Sequence, residues 1–139
     1  MVKEKLAQEE EVQEVNPLEA MLGTSKDIEK QVYIKRLNTH FTVKRVDEEF
    51  DDIKAEVTYY TGKGKKRTKE LDEDKFNLAL IAEGCVNPNF KDKRVLEHYG
   101  VQKATDAVRK ALLVGEQLEL VQEILDASGF DNEVEEAKN

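Results

Sequence analysis

Tryptophan is absent from this 139-residue chain, which has only one cysteine, two methionines, two histidines and two prolines. Each shortage excludes something. The single cysteine, Cys85, cannot close an intramolecular disulfide. One Cys and two His fall short of the roughly four ligands that a structural zinc site uses. No apolar run reaches the ~20 residues that cross a bilayer. The acidic start of the chain lacks the apolar stretch of a signal peptide. These absences lead to the expectation of a soluble cytoplasmic protein without a membrane partner.

Charge is abundant. Charged residues make up 37% and apolar residues 39%, against about 25% and roughly 45–50% in ordinary globular chains. Residues 1–16 carry two lysines against five glutamates, and residues 131–139 carry one lysine against four carboxylates. The two ends therefore hold most of the net charge of −8. Both read as disordered acidic tails around a single domain at residues 17–130.

Within that domain the hydrophobic period changes along the chain. "PLEAMLG" (17–23) reads as a short helical turn, with Pro17 at its first position and Gly23 closing it. "KQVYIKRL" (30–37) and "FTVKRV" (41–46) alternate, which marks two half-buried strands joined at Asn38-Thr39-His40. From Asp47 the spacing turns helical. Val46, Phe50, Ile53, Val57 and Tyr60 share one stripe, with Asp47 as cap and Gly62 as stop. "GKGKKR" (62–67) then reads as a basic loop. Four further helices are expected. The first is capped by Asp72 with a Leu71–Phe76 staple and has Phe76, Ala79, Leu80 and Glu83 along one side. The others lie near 92–100, 103–113 and 116–128, the last with Leu118, Val121 and Leu125 on one stripe. The fold class is thus mainly α (α+β): an N-terminal β-hairpin followed by a compact bundle of about five short helices.

Three helix ends share one pattern. Gly84-Cys85, Gly100-Val101 and Gly129-Phe130 each place glycine before an apolar residue. In a Schellman ending that residue returns to the position five before it: Leu80, Leu96 and Leu125.

The same residues argue against catalysis. Cys85 as a nucleophile needs a base, and neither His40 nor His98 sits in a recognisable motif. "DEEFDDI" (47–53) lacks the sixth-position Gly and twelfth-position Glu of a calcium loop. "TGKGKKRT" lacks the spacing of a phosphate loop. The last helix carries Glu116, Glu119, Glu123 and Asp126 without a Lys or Arg, so phosphate repulsion opposes a helix-turn-helix reading. No catalytic residue, cofactor or metal is assigned, and no nucleic-acid partner is expected. An interaction module remains.

"YIKRLN", "LIAEGCVNPNF", "LEHYG", "ALLVGEQ" and "ILDASGF", in that order over residues 33–130, resemble one family. It comprises the XkdN-like tail assembly chaperones of Gram-positive phages and prophages. The chain departs from that pattern at Val114, where Pro is expected, at Gln117, where an aliphatic residue is expected, and at Ala127, where Leu is expected. The resemblance implies a chaperone that binds the tape-measure protein, keeps it soluble and helps recruit tail tube protein. A frameshifted longer form of the same chain is a further implied partner. It also implies action in the bacterial host cytoplasm and absence from the mature virion. No catalytic or cofactor-binding residue comes with it. Phe90, Tyr99, Leu113, Leu118 and Phe130, apolar residues near helix ends, are the candidate partner-binding residues. The competing reading is a small nucleic-acid-binding or regulatory phage protein using the basic loop 62–67.

Overall fold

The computed structural model describes residues 14–130. The two acidic ends, 1–13 and 131–139, lie outside the described residues. Asn16, grouped with the tail on sequence grounds, instead caps helix α1 (Pro17–Leu22), its side chain accepting from the Leu18 and Glu19 amides. Pro17 needs no partner for an N–H it lacks, so it starts the helix without cost. No residue of α1 is buried.

The first hairpin forms, but its turn lies at Lys35–Asn38 rather than at Asn38-Thr39-His40, and Thr39 and His40 belong to the second strand. Strands β1 (Glu29–Ile34) and β2 (Thr39–Lys44) pair antiparallel with Val32 opposite Phe41 and Tyr33 opposite His40. Alternation puts Val32, Ile34, Phe41 and Val43 in the core. The Tyr33 and His40 rings meet 5.0 Å apart on the outer face. A 3-10 turn, Lys35–Leu37, and Asn38 in the left-handed region reverse the chain. Asparagine tolerates that conformation better than most residues.

The next segment departs from the sequence reading. Helix α2 runs only over Phe50–Glu56. Val57 ends it, and Tyr60 belongs to strand β3 (Thr58–Thr61), which pairs with β4 (Thr68–Leu71) as a second hairpin. Thr58-Tyr59-Tyr60-Thr61 is entirely β-branched or aromatic, and those types favour a pleated strand over a helix's third turn. Gly62 does stop the element, but as a turn residue at φ 84°. Asp47 is not a cap either. Its carboxylate pairs with Arg45 at 2.6 Å and Lys26 at 3.3 Å.

Helix α3 (Glu73–Gly84) starts on Asp72, which accepts from the Lys75 amide at 3.1 Å. Leu78, Leu80, Ile81, Ala82 and Gly84 are all buried, so this helix has no single inner face. It is enclosed by helices α5 (Ala104–Ala111) and α6 (Val114–Ala127) and precedes strand β5 (Cys85–Asn87), the third strand of the sheet β1-β2-β5. Helix α4 (Lys93–Tyr99) lies between β5 and α5 in sequence and packs on α5.

Two of the three glycine endings have the expected geometry. Gly100 and Gly129 take positive φ, and Val101 and Phe130 donate back to the Leu96 and Leu125 carbonyls, each at 3.0 Å. Gly84 does not. It stays helical and leads into a strand, with Cys85 at φ −84° and ψ 116° donating to Ile81. Its glycine is required by packing: a Cβ there would stand 2.7 Å from Ile124 Cδ1. The missing side chain lets α3 and α6 close together over the sheet. α6 runs antiparallel to β1, since Lys30 pairs with Asp126 and Glu123 while Arg36 pairs with Glu116. On α6, Leu120, Val121, Ile124 and Ala127 are buried, so the inner stripe lies beside the expected one and leaves Leu118 outside.

Candidate functional site

The mouth of α6 is built from polar clamps around apolar side chains. Leu113 is the N-cap, and its amide donates to Glu116 Oε1 at 2.8 Å. Leucine offers no acceptor in return, so half of a capping box is present. Arg36 reaches the same carboxylate through Nε at 2.9 Å and Nη2 at 2.8 Å, and Nη2 also donates to the Ala111 carbonyl. This bidentate geometry is the strong form of an Arg–carboxylate contact. The guanidinium beside Glu116 holds its carboxyl below the usual range. Gln117 Nε2 donates to the Leu112 carbonyl at 3.1 Å.

These bonds occupy the Leu113 amide and the Ala111, Leu112 and Leu113 carbonyls, while the apolar side chains of the turn face outward. Leu113, Val114 and Leu118 are 60%, 69% and 54% exposed. Val114 and Leu118 stand one helical turn apart on the same face. Leu37, next to Arg36, is exposed as well. Exposed apolar side chains gathered beside polar groups are a common feature of protein-binding faces.

The five sequence candidates separate in space. Leu113 and Leu118 belong to this rim. Phe90 does not: it is 2% exposed, with its ring 6.4 Å from Phe41. It is core because the chain turns inward after Asn87-Pro88 and drops the ring under the sheet. Tyr99 lines a separate open groove of about 420 Å³ that includes Pro88, Val95 and His98. Phe130 rests on Phe50 with ring centroids 5.1 Å apart. Val114 and Leu37 were missed. An apolar residue at a first helical position was the available signal for Val114.

Neither histidine is seen to pair with Cys85 among the described residues. It is buried, and desolvation pushes its thiol up to about 12. His40 packs on Tyr33, and His98 packs on Tyr99 at 4.7 Å. Among the described residues no cluster of His, Cys, Asp and Glu has the makings of a metal site, and no helix is long and apolar enough to cross a membrane.

A family model of the phage XkdN-like tail assembly chaperone protein matches residues 18–139. The chain belongs to the XkdN-like family of phage tail assembly chaperones. It is 33% identical over 91 residues to YqbN, an uncharacterized protein of Bacillus subtilis strain 168, covering 64% of this chain and 61% of that protein. It is 29% identical over 98 residues to protein XkdN of the phage-like element PBSX in the same strain, covering 66% of each. The chain thus spans less than two thirds of either relative's length. A crystal structure of YqbN shares the fold, with a TM-score of 0.63 at 24% identity over 86% of this chain and 100% of that one. The three positions at which the resemblance led to another expected residue have plain places in the fold. Val114 occupies the first position of α6, where proline fits because its missing N–H would be unpaired anyway. Gln117, where an aliphatic residue is expected, bonds to the Leu112 carbonyl. Ala127 is 4% exposed, at the buried end of α6.

Proposed function

We propose that this tail assembly chaperone holds an amphipathic helical segment of the tape-measure protein against the rim formed by Leu37, Leu113, Val114 and Leu118. It thereby keeps that protein soluble and helps bring tail tube subunits to it, without catalysis. Leu113, Val114 and Leu118, all exposed at the start of a helix whose carbonyls before it are already bonded, are the observation that supports this reading. A partner helix laid across them would bury apolar surface at roughly 25 cal/mol per Å². Helix-in-groove recognition reads such anchors at one-turn spacing. Tyr99 and Phe130 extend the candidate surface at two other places. Residues 17–130 act as the binding domain, in the host cytoplasm, and the chaperone leaves before the virion is complete.

Co-expression tests the proposal. Wild-type chain is expected to keep tape-measure protein in the soluble fraction. Leu113→Glu/Leu118→Glu, both at exposed positions, is expected to stay folded by circular dichroism and lose that effect. If tape-measure protein precipitates equally with wild-type chain, the reading is wrong. If it stays soluble with the double variant, the site is wrong.

A further inference from the structure

Positive charge is distributed unevenly over this acidic chain. Lys26, Lys30, Arg36, Arg45, Lys75, Lys91, Lys93 and Arg94 each pair with a carboxylate. Lys35, Lys44, Lys103, Arg109 and Lys110 also have no salt bridge among the described residues and lie apart, on the β1–β2 turn, on β2 and at α5, whereas six further cations without one fall together on the β3–β4 hairpin and the adjoining side of α2. Lys54, Lys63, Lys65, Lys66, Arg67 and Lys69 make no salt bridge to a described carboxylate. Lys54 lies 6.0 Å from the Phe50 ring centroid, and Arg67 lies over the Tyr60 ring at 4.0 Å.

The register organises these groups. Tyr60 is opposite Lys69 and Thr58 is opposite Leu71, so these four share one face of the hairpin. That face borders an open groove of about 480 Å³, with Asp51 and Lys54 on the α2 side and Thr58, Lys69, Glu70 and Leu71 on the other. Phe50 immediately precedes Asp51, and Phe130 is seated on Phe50. The described chain therefore stops beside one end of this groove.

The next residues in sequence are acidic: Asp131, Glu133, Glu135 and Glu136. Six residues extend to at most about 20 Å. The seven residues of α2 rise only about 10 Å, so the segment is long enough to run the length of α2 past Lys54, and Lys69 lines the same groove. We propose that residues 131–136 dock along the cationic face of the β3–β4 hairpin, so that the chain covers its own positive patch. Charge complementarity and the seat of Phe130 both favour this occupant. Tethering adds to it, because a short linker raises the local concentration of a segment to about the millimolar range. A free nucleic acid has no such tether.

A nitroxide on Lys138→Cys in the otherwise full chain reports where the segment sits. Cys85 is buried and its thiol is pushed up to about 12, so the introduced thiol takes the label. At about 0.01 M salt, amide signals of residues 54 and 63–69 are expected to lose intensity selectively. At about 1 M salt, where the screening length falls to roughly 3 Å, they are expected to recover. Neutralising the segment (Asp131→Asn, Glu133→Gln, Glu135→Gln, Glu136→Gln) is expected to abolish the loss. Broadening spread evenly over the surface, or unchanged by salt, overturns the proposal. An oligothymidylate probe gives an independent reading. It is expected to bind the neutralised chain more tightly than the wild type. Equal binding to both would mean that the segment does not cover the patch.

Discussion

Two glycines organise two regions of this chaperone for opposite reasons. At the seam of α3 and α6, Gly84 has an ordinary helical backbone, and what matters is the space left for Ile124. At the tip of β3–β4, Gly62 sits at φ 84°, and a Cβ would stand 2.4 Å from the Lys66 carbonyl oxygen. The seam is enclosed on all sides by apolar groups. The hairpin buries none of its eight strand residues and stands on local turn chemistry, cross-strand pairs and its join to α2, where the Asp72 amide donates to the Val57 carbonyl. One region is held by the rest of the molecule, and the other holds itself.

Perturbing each region separates these two modes. The largest effect belongs to the core beside the seam. Phe90→Ala is expected to lower stability by about 3–5 kcal/mol, measured by urea unfolding. Gly84→Ala comes next, at about 1–3 kcal/mol from overpacking. Ile124→Val in the same chain is expected to recover part of that loss, and a double-mutant cycle gives the coupling. If Gly84→Ala is neutral, the close approach of α3 to α6 is not a constraint.

Acid titration probes the clamp at the mouth of α6. The Glu116 carboxyl is held below its ordinary value of 4.5 by Arg36. A depressed carboxyl contributes stability above its unfolded pKa and loses it as pH falls through the folded one. The urea midpoint of the wild type is therefore expected to drop below about pH 4.5. Glu116→Gln should flatten that limb; an identical slope in both proteins would remove the clamp from the account. The smallest global effect belongs to Gly62→Ala. Amide exchange is expected to accelerate across residues 58–71 while the slowest core amides stay unchanged. A drop in global stability as large as that of Gly84→Ala would show that the hairpin is coupled to the core after all.

The same contrast explains what could be read in the sequence. Gly100 and Gly129 were legible because their reason is local: a left-handed backbone followed by an apolar residue that bonds back five positions. Gly84 carries the same local pattern, but its reason is on another helix forty residues away. The β1–β2 hairpin was legible from alternation. The β3–β4 hairpin was not, since Val57 and Tyr60 happen to continue a helical stripe begun by Phe50 and Ile53, and its four-residue strands bury nothing that would show as alternation. The apolar rim was half legible. Leu113 and Leu118 stood out as leucines near helix ends, but which side of α6 faces the sheet is decided by Leu120, Ile124 and their fit to α3. Phe90 looked equally available from its neighbours, and only the turn after Pro88 sends it inward.

α6 is fastened at both ends. Arg36 grips its first turn. Lys30 grips Asp126 and Glu123 in its last turns, and the Ser128 hydroxyl just beyond them accepts from the Val46 amide at 2.8 Å. A helix pinned in this way behaves as a beam on two supports and does not pivot when loaded. Under the proposed function, a client at the Leu113–Leu118 ledge would therefore meet a surface whose backbone is already in place. Little ordering entropy is lost on the chaperone's side, and the adjustment falls to the client.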